Sequence, residues 1–262
     1  MTPALAAAIA GVIALAAWRA RTLAGGGSVA AWSVGTVVLT SAGWLGGAVL
    51  LTFFLSASAL SRVRPALPSD VDPKGSRRDA WQVLANGGPA ALAGLLVLLD
   101  LISPSAGLWM ITASLAAAAA DTWATSLGAA SRRPPRDLVS GITVAPGTSG
   151  GVTRLGTAAA VAGAALVSLP PAFSGHSGLP AAGTIIGVGG MLLDSVLGAT
   201  VQARFRCPRC GTRSEWPRHR CGTRTRHEGG WRWLTNDGVN AIATGAAALA
   251  GWVAWLSFSA PS

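Results

Sequence analysis

The chain has 262 residues, 51% of them apolar and 11% charged, with a net charge of +10. A soluble domain normally carries about a quarter charged residues, so this composition excludes an ordinary water-soluble fold and predicts helices that face lipid. The basic excess alone does not imply nucleic acid. Its placement along the chain has a topological explanation, and no nucleic-acid partner is expected.

The first apolar run, 3–18, is followed by Arg19 and Arg21 rather than preceded by them. That is the reverse of a secretory leader, and it reads as a retained span with its N-terminus outside. The stretch 29–60 exceeds the ~20 residues that one span needs. Gly43, Gly46 and Gly47 at its middle favour two short helices bent at the glycines. One long tilted helix is the alternative. It would separate the first basic cluster from the second, formed by Arg62, Arg64, Lys74, Arg77 and Arg78.

Segments 83–101 and 107–128 predict a helical hairpin around Ser103-Pro104-Ser105. Arg132, Arg133, Arg136 and Arg154 form a third cluster. Segments 154–170 and 181–203 predict a second hairpin around Pro170-Pro171, and 238–257 the last span. A fourth cluster of arginines lies between Arg204 and Arg232. Basic loops of multi-pass proteins stay in the cytoplasm, so all four clusters are assigned there, in a cell-membrane protein. The expected architecture is an all-α polytopic integral membrane protein of about seven or eight transmembrane helices. It divides into a helical bundle (1–203), a small cytoplasmic zinc-ribbon-like loop (204–237), and a last helix with its tail (238–262).

Two acids interrupt this pattern. Asp121 lies in AAAAADTWATSLG and Asp194 in GVGGMLLDSVLGATVQ. A carboxylate at mid-span costs roughly 2.5–3.5 kcal/mol on insertion scales, which suggests retention for a task. Asp121, Thr125 and Gly128 recur at helical spacing and share a face, with Thr122 alongside. A helix-end Asp capped by local hydroxyls is the plainer alternative. Asp194, followed by Ser195, has Gly190 and Gly198 one turn to either side. These glycines would let a ligand or another backbone approach, and a simple helix-packing face is the other reading.

Between the acids lies Gly147-Thr148-Ser149-Gly150-Gly151, ahead of an apolar helix. Such a stretch could present several amides, and a helix start, to one anion. Arg154 could add a full charge. No Walker A signature follows, and a plain turn is the alternative. Asn86 opens the third apolar segment, and Asn236, Asp237 and Asn240 open the last. Asn236 could serve only as an N-cap. Asp237 and Asn240 share a face and could hold a divalent ion or a ribose. Lys74, Arg77 and Arg78 could clamp a polyphosphate, or mark topology alone. Magnesium takes oxygen ligands and keeps waters, so Asp121 and Asp194, with Asp237 as a third carboxylate, could hold it. Phosphoryl transfer needs alignment, a cation and donors more than covalent help.

The polar segment 204–237 is too rich in arginine to build a core. Cys207-Pro-Arg-Cys210, followed by His219-Arg-Cys221, supplies four ligands for a structural zinc ion, with His227 as a spare. An odd cysteine count argues against a disulfide framework.

These segments together resemble domain-of-unknown-function family 92, which includes plant phytyl-phosphate kinases and animal transmembrane protein 19. The resemblance rests on Gly27–Gly35, Leu51–Phe54, Lys74–Asp79, Gln82–Gly88, Ala120–Thr125, Pro146–Val152, Asp194–Ala199, the Cys207–Cys210 loop and Asn236–Asn240. It implies a polytopic helical membrane protein and an isoprenyl phosphate as substrate. A nucleoside triphosphate such as CTP would be the donor. Where the family's usual loop reads Thr-Asn-Gly-Gly, this chain has Thr148-Ser149-Gly150-Gly151. The expected function is an NTP- and magnesium-dependent kinase of a prenyl phosphate at the cytoplasmic face, or a related nucleotidyltransferase. The alternative from another class is an ion-coupled transporter or lipid flippase built on the intramembrane Asp and Asn groups.

Overall fold

The structure is a computed structural model, and it describes residues 1–63, 77–176, 178–214 and 216–259. Its helices are α1 (Pro3–Arg19), α2 (Gly25–Val63), α3 (Ala80–Leu98), α4 (Pro104–Gly128), α5 (Arg154–Ser168), α6 (Leu179–Thr200) and α7 (Asn236–Ser259). Five of them are long and apolar enough to cross a membrane: α2, α3, α5 with the turn after it, α6 and α7. Large apolar side chains such as Val12, Leu92, Ile185 and Val253 point outward from the bundle. A surface of this kind suits lipid and not water.

The α2 segment is not one straight rod. Gly43 has φ +59° and ψ −150°, and the chain reverses there. A Cβ on Gly47 would meet the Leu39 side chain, and one on Gly46 the Val38 side chain. Residues eight apart touch only if the helix folds back on itself. The bent reading of 29–60 therefore describes the molecule, and both ends of α2 lie at the same end of the bundle.

At the centre stands α4, enclosed by α2, α3, α5, α6 and α7. Its run from Leu115 to Ala120 is fully buried. Small side chains let neighbours come close, since helices in lipid associate through packing. A Cβ on Gly187 of α6 would sit 2.9 Å from the Ala116 backbone, and one on Gly251 of α7 2.8 Å from the Trp109 carbonyl. Trp109 is itself buried, with its ring centre 5.1 Å from that of Phe258.

The ends that meet at one pole are the C-termini of α1, α4 and α6 and the N-termini of α3, α5 and α7. Every described arginine belongs to this pole or to the segments attached to it. Two small sheets cover it. Strands β1 (Arg136–Asp137) and β2 (Gly151–Val152) pair antiparallel. Strands β3 (Arg204–Arg206), β4 (Arg213–Ser214) and β5 (Arg226–Gly229) form a sheet in the order β4-β3-β5.

Candidate functional site

At the arginine pole a cavity of about 340 Å³ opens among six helices. Asp121, Thr122, Thr125 and Ser126 of α4 line it. So do Asp194 and Ser195 of α6, and Asn236, Asp237 and Asn240 of α7. Asn86 and Gln82 of α3 complete the helical wall, and Gly147 to Gly151 lie across the mouth. Residues spread over more than 150 positions of sequence thus share one space. Asp121 and Asp194 do not lie on opposite sides of the molecule.

Each wall is fixed by local chemistry. Thr235 caps α7, its Oγ1 accepting from the Gly238 amide at 3.4 Å. Asn236 is therefore not the cap, and its side chain lies on the cavity wall. The start of α3 is set by a capping box: Asp79 Oδ1 accepts from Gln82 N at 2.9 Å, and Gln82 Oε1 from Asp79 N at 3.1 Å. The Asp79-x-x-Gln82 spacing announces this box in the sequence, which the basic run beside it obscured. One turn on, Asn86 Nδ2 donates to the Gln82 carbonyl at 3.0 Å.

The glycine loop keeps fewer amides for a ligand than its sequence suggests. Thr148 N donates to Ala145 O at 3.1 Å, and Gly151 N to Thr148 O at 3.0 Å. Gly147 and Gly150 both take φ +82°, a conformation that L side chains avoid. Gly150 also packs directly on α6, where a Cβ would lie 2.5 Å from Ala199 Cβ. Gly198, read as room for a ligand or another backbone beside Asp194, is the seat of this loop: a Cβ there would lie 3.2 Å from the Gly150 amide. Gly190 likewise admits Ala117 of α4. Behind the loop, Gln202 Nε2 donates to Ser149 Oγ at 3.0 Å.

The N-terminus of α5 points into the same space through Thr153, Gly156 and Thr157. Thr153 Oγ1 caps the helix by accepting from Gly156 N at 2.9 Å. The unsatisfied amides of a first helical turn favour an anion. Arg154 itself is exposed and does not line the cavity. Arg77 also stays off the wall and donates to the Leu23 carbonyl at 3.3 Å. Lys74 lies outside the described residues. Among the described residues, the cations that line the cavity are Arg78 and Arg133. Arg133 was legible only as part of a topological cluster. Outside the bundle, Asp137 is held well below the usual carboxylate range by the amide and hydroxyl of Ser140, outweighing slight burial.

The cysteine loop folds as two knuckles. Gly211 N donates to Cys207 O at 2.9 Å and Gly222 N to His219 O at 2.9 Å. Ligand atoms of Cys207, Cys210, His219 and Cys221 all lie within 4.8 Å of one another. Cys207 and Cys221 sulfurs are 3.6 Å apart, and His219 Nδ1 is 3.1 Å from the Cys221 sulfur. Hydrogen bonds from Thr223 and then His219 pull the Cys221 thiol down to about 5. Its hydrogen bonding with Cys221 pushes the Cys210 thiol up to about 11. A donor set of three sulfurs and one imidazole at these separations fits tetrahedral zinc. His227, the spare, packs edge-on against Phe205 instead. Arg206 and Arg213 of the sheet pair with Glu228 at 2.7 and 3.6 Å.

The sequence profile of the integral membrane protein family DUF92 matches residues 8–248. Protein PGR of Arabidopsis thaliana is 31% identical over 230 aligned residues, covering 76% of this chain and 78% of that protein. An uncharacterised membrane protein of Methanocaldococcus jannaschii is 30% identical over 194 residues, covering 74% of this chain and 80% of that one. No solved structure matches the chain.

Proposed function

We propose that this chain, which belongs to the integral membrane protein family DUF92, is a membrane-embedded lipid-phosphate kinase acting on an isoprenyl phosphate at its arginine pole. The observation that carries the reading is the single cavity shared by Asp121, Asp194, Asp237, Asn86, Asn240 and the 147–151 loop. Three carboxylates beside amide oxygens are a donor set for magnesium, which keeps waters and needs few protein ligands. When bound, that ion would offset the negative charge of the phosphate being transferred.

The protein's own residues do the rest. The α5 N-terminus and the glycine loop supply partial positive charge and donors for phosphate oxygens. Arg78 and Arg133 supply full charges. Asn86 and Asn240, on facing helices, orient the groups between them. An oxygen of the prenyl phosphate attacks the γ-phosphorus of the nucleotide. The bond to the bridging oxygen breaks, and the electron pair leaves with the nucleoside diphosphate. The products are a prenyl diphosphate and a nucleoside diphosphate. Such a transfer depends on alignment and electrostatics, which suits a site built from acids, amides and a helix N-terminus. The positive-inside rule supports a cytoplasmic position for this pole. The cysteine loop would hold structural zinc, ordering a segment that lacks a core.

The test is turnover. Purified protein with magnesium, labelled nucleoside triphosphate and phytyl or geranylgeranyl phosphate is expected to release labelled prenyl diphosphate. Absence of product with every prenyl phosphate, together with lipid-dependent flux in sealed vesicles, would replace the kinase with a transporter.

A further inference from the structure

The polar cavity has an apolar neighbour. A second cavity, of about 300 Å³, runs between α1, both arms of α2 and the first turns of α3. Its walls are nearly all hydrocarbon, from side chains such as Ile9, Ile13, Leu39, Leu51 and Phe54. Three residues belong to both spaces: Arg78, Gln82 and Asn86. The two cavities therefore meet at a polar collar of one guanidinium and two amides.

The collar is firmly held. Arg78 N donates to Thr22 O at 3.0 Å, and Arg78 O accepts from Ala24 N at 2.9 Å. Its guanidinium lies 5.8 Å from the centre of the Phe53 ring. Gly27 permits this closeness, since a Cβ there would collide with the Arg78 carbonyl. From Phe53 to Trp44 the second arm of α2 rises about 14 Å at ~1.5 Å per residue. Trp44 stands 68% exposed, so the groove opens toward lipid at its far end.

We infer that this groove binds the isoprenoid tail of a lipid phosphate whose phosphate occupies the polar cavity, with the tail passing the collar of Arg78, Gln82 and Asn86. The inference rests on the lipid-phosphate reading of the polar cavity and adds where the hydrocarbon lies. Chemistry changes sharply at the collar, with donors and acids on one side and hydrocarbon on the other. An amphiphile with one charged end and one chain matches that order. A diacyl lipid would have to leave its second chain outside a single groove. Within a bilayer the tail gains from close packing and not from escaping water, so a shaped groove is what selects it.

The experiment uses the full chain in nanodiscs and geranylgeranyl phosphate carrying a diazirine at the tail end. After photolysis, mass spectrometry should place the label between residues 39 and 51 or on the facing turn of α1. Unlabelled geranylgeranyl phosphate should displace it, and geranylgeraniol should not. Ala48, an exposed small residue on the groove wall, gives a blocking variant: Ala48→Trp is expected to lower specific labelling about tenfold. Leu51→Trp repeats the test from a second wall position. Label spread over the outer faces of α6 and α7, or displaced equally by the alcohol, would mean ordinary acyl chains and overturn the inference. Turnover is scored separately. Labelling as expected without diphosphate product keeps the groove and removes the kinase. Product with the label elsewhere keeps the kinase and removes the groove.

Discussion

Thr244 on α7 places its hydroxyl 2.8 Å from the carbonyl oxygen of Ala85 on α3. That carbonyl lies four residues before Pro89, which has no amide to give it. The same hydroxyl lies 2.8 Å from the Asn240 carbonyl on its own helix. One contact thus ties the turn bearing Asn86 to the turn bearing Asn240, two residues of the polar cavity. Thr244 is buried, so no water replaces it. Thr244→Val should leave a buried acceptor unsatisfied and cost about 1–3 kcal/mol, whereas Thr244→Ser should cost little. Thermal unfolding in detergent would compare them, and equal stability of the Val and Ser variants would contradict this account.

Two glycines of the 136–152 segment separate backbone strain from packing. Gly141 and Gly150 both have positive φ, +71° and +82°. A Cβ on Gly141 meets nothing within 4 Å, while one on Gly150 lies 2.9 Å from Ala199 N and Cα. Gly141→Ala should therefore cost only about 1 kcal/mol. Gly150→Ala should cost clearly more and should raise KM for the nucleotide. Similar behaviour of the two variants would mean that the loop does not depend on its seat on α6.

Acid should loosen the same segment late. Asp137 Oδ1 accepts from Val139 N, Ser140 N and Ser140 Oγ at 3.1, 2.7 and 2.8 Å. These bonds favour the ionised form and lower its pKa when folded. Their contribution is complete above the unfolded carboxylate value and fades as pH falls through the lower folded value. Carboxyl carbon shifts of labelled aspartate should show Asp137 titrating below a free aspartate. A midpoint at or above the free value would contradict the turn.

Metal analysis addresses the cysteine loop. The wild-type protein should carry about one zinc ion per chain, as a four-ligand structural site requires. Cys207→Ser should lose it, and protease should then cut between residues 204 and 229. His227→Ala should keep it, since that ring lies against Phe205. Full zinc retention in Cys207→Ser would remove the assignment.

Much of this was legible from residue order. Apolar run lengths located the α-helices of the described residues, and the unusual glycines at 43, 46 and 47 announced the reversal in α2. The acids and asparagines were conspicuous because hydrocarbon tolerates so few of them. What could not be read was three-dimensional neighbourhood. Arg133 and Arg154 belong to one basic cluster in sequence, but only Arg133 lines the cavity. Gly190 and Gly198 left a ligand, another backbone and plain helix packing all open, and the structure uses both for protein contacts. The amides of Thr148 and Gly151 looked available until the turns that consume them were formed. A small residue marks a close approach without naming what approaches.

The proposed kinase depends on carboxylates from α4 and α6 jointly gripping one divalent cation. Manganese, read by electron paramagnetic resonance in the presence of nucleotide and geranylgeranyl phosphate, tests it directly. The expected result is one tightly held ion in the wild-type protein, lost in Asp121→Asn and equally in Asp194→Asn while both variants remain folded. Undiminished manganese binding in both variants would contradict it.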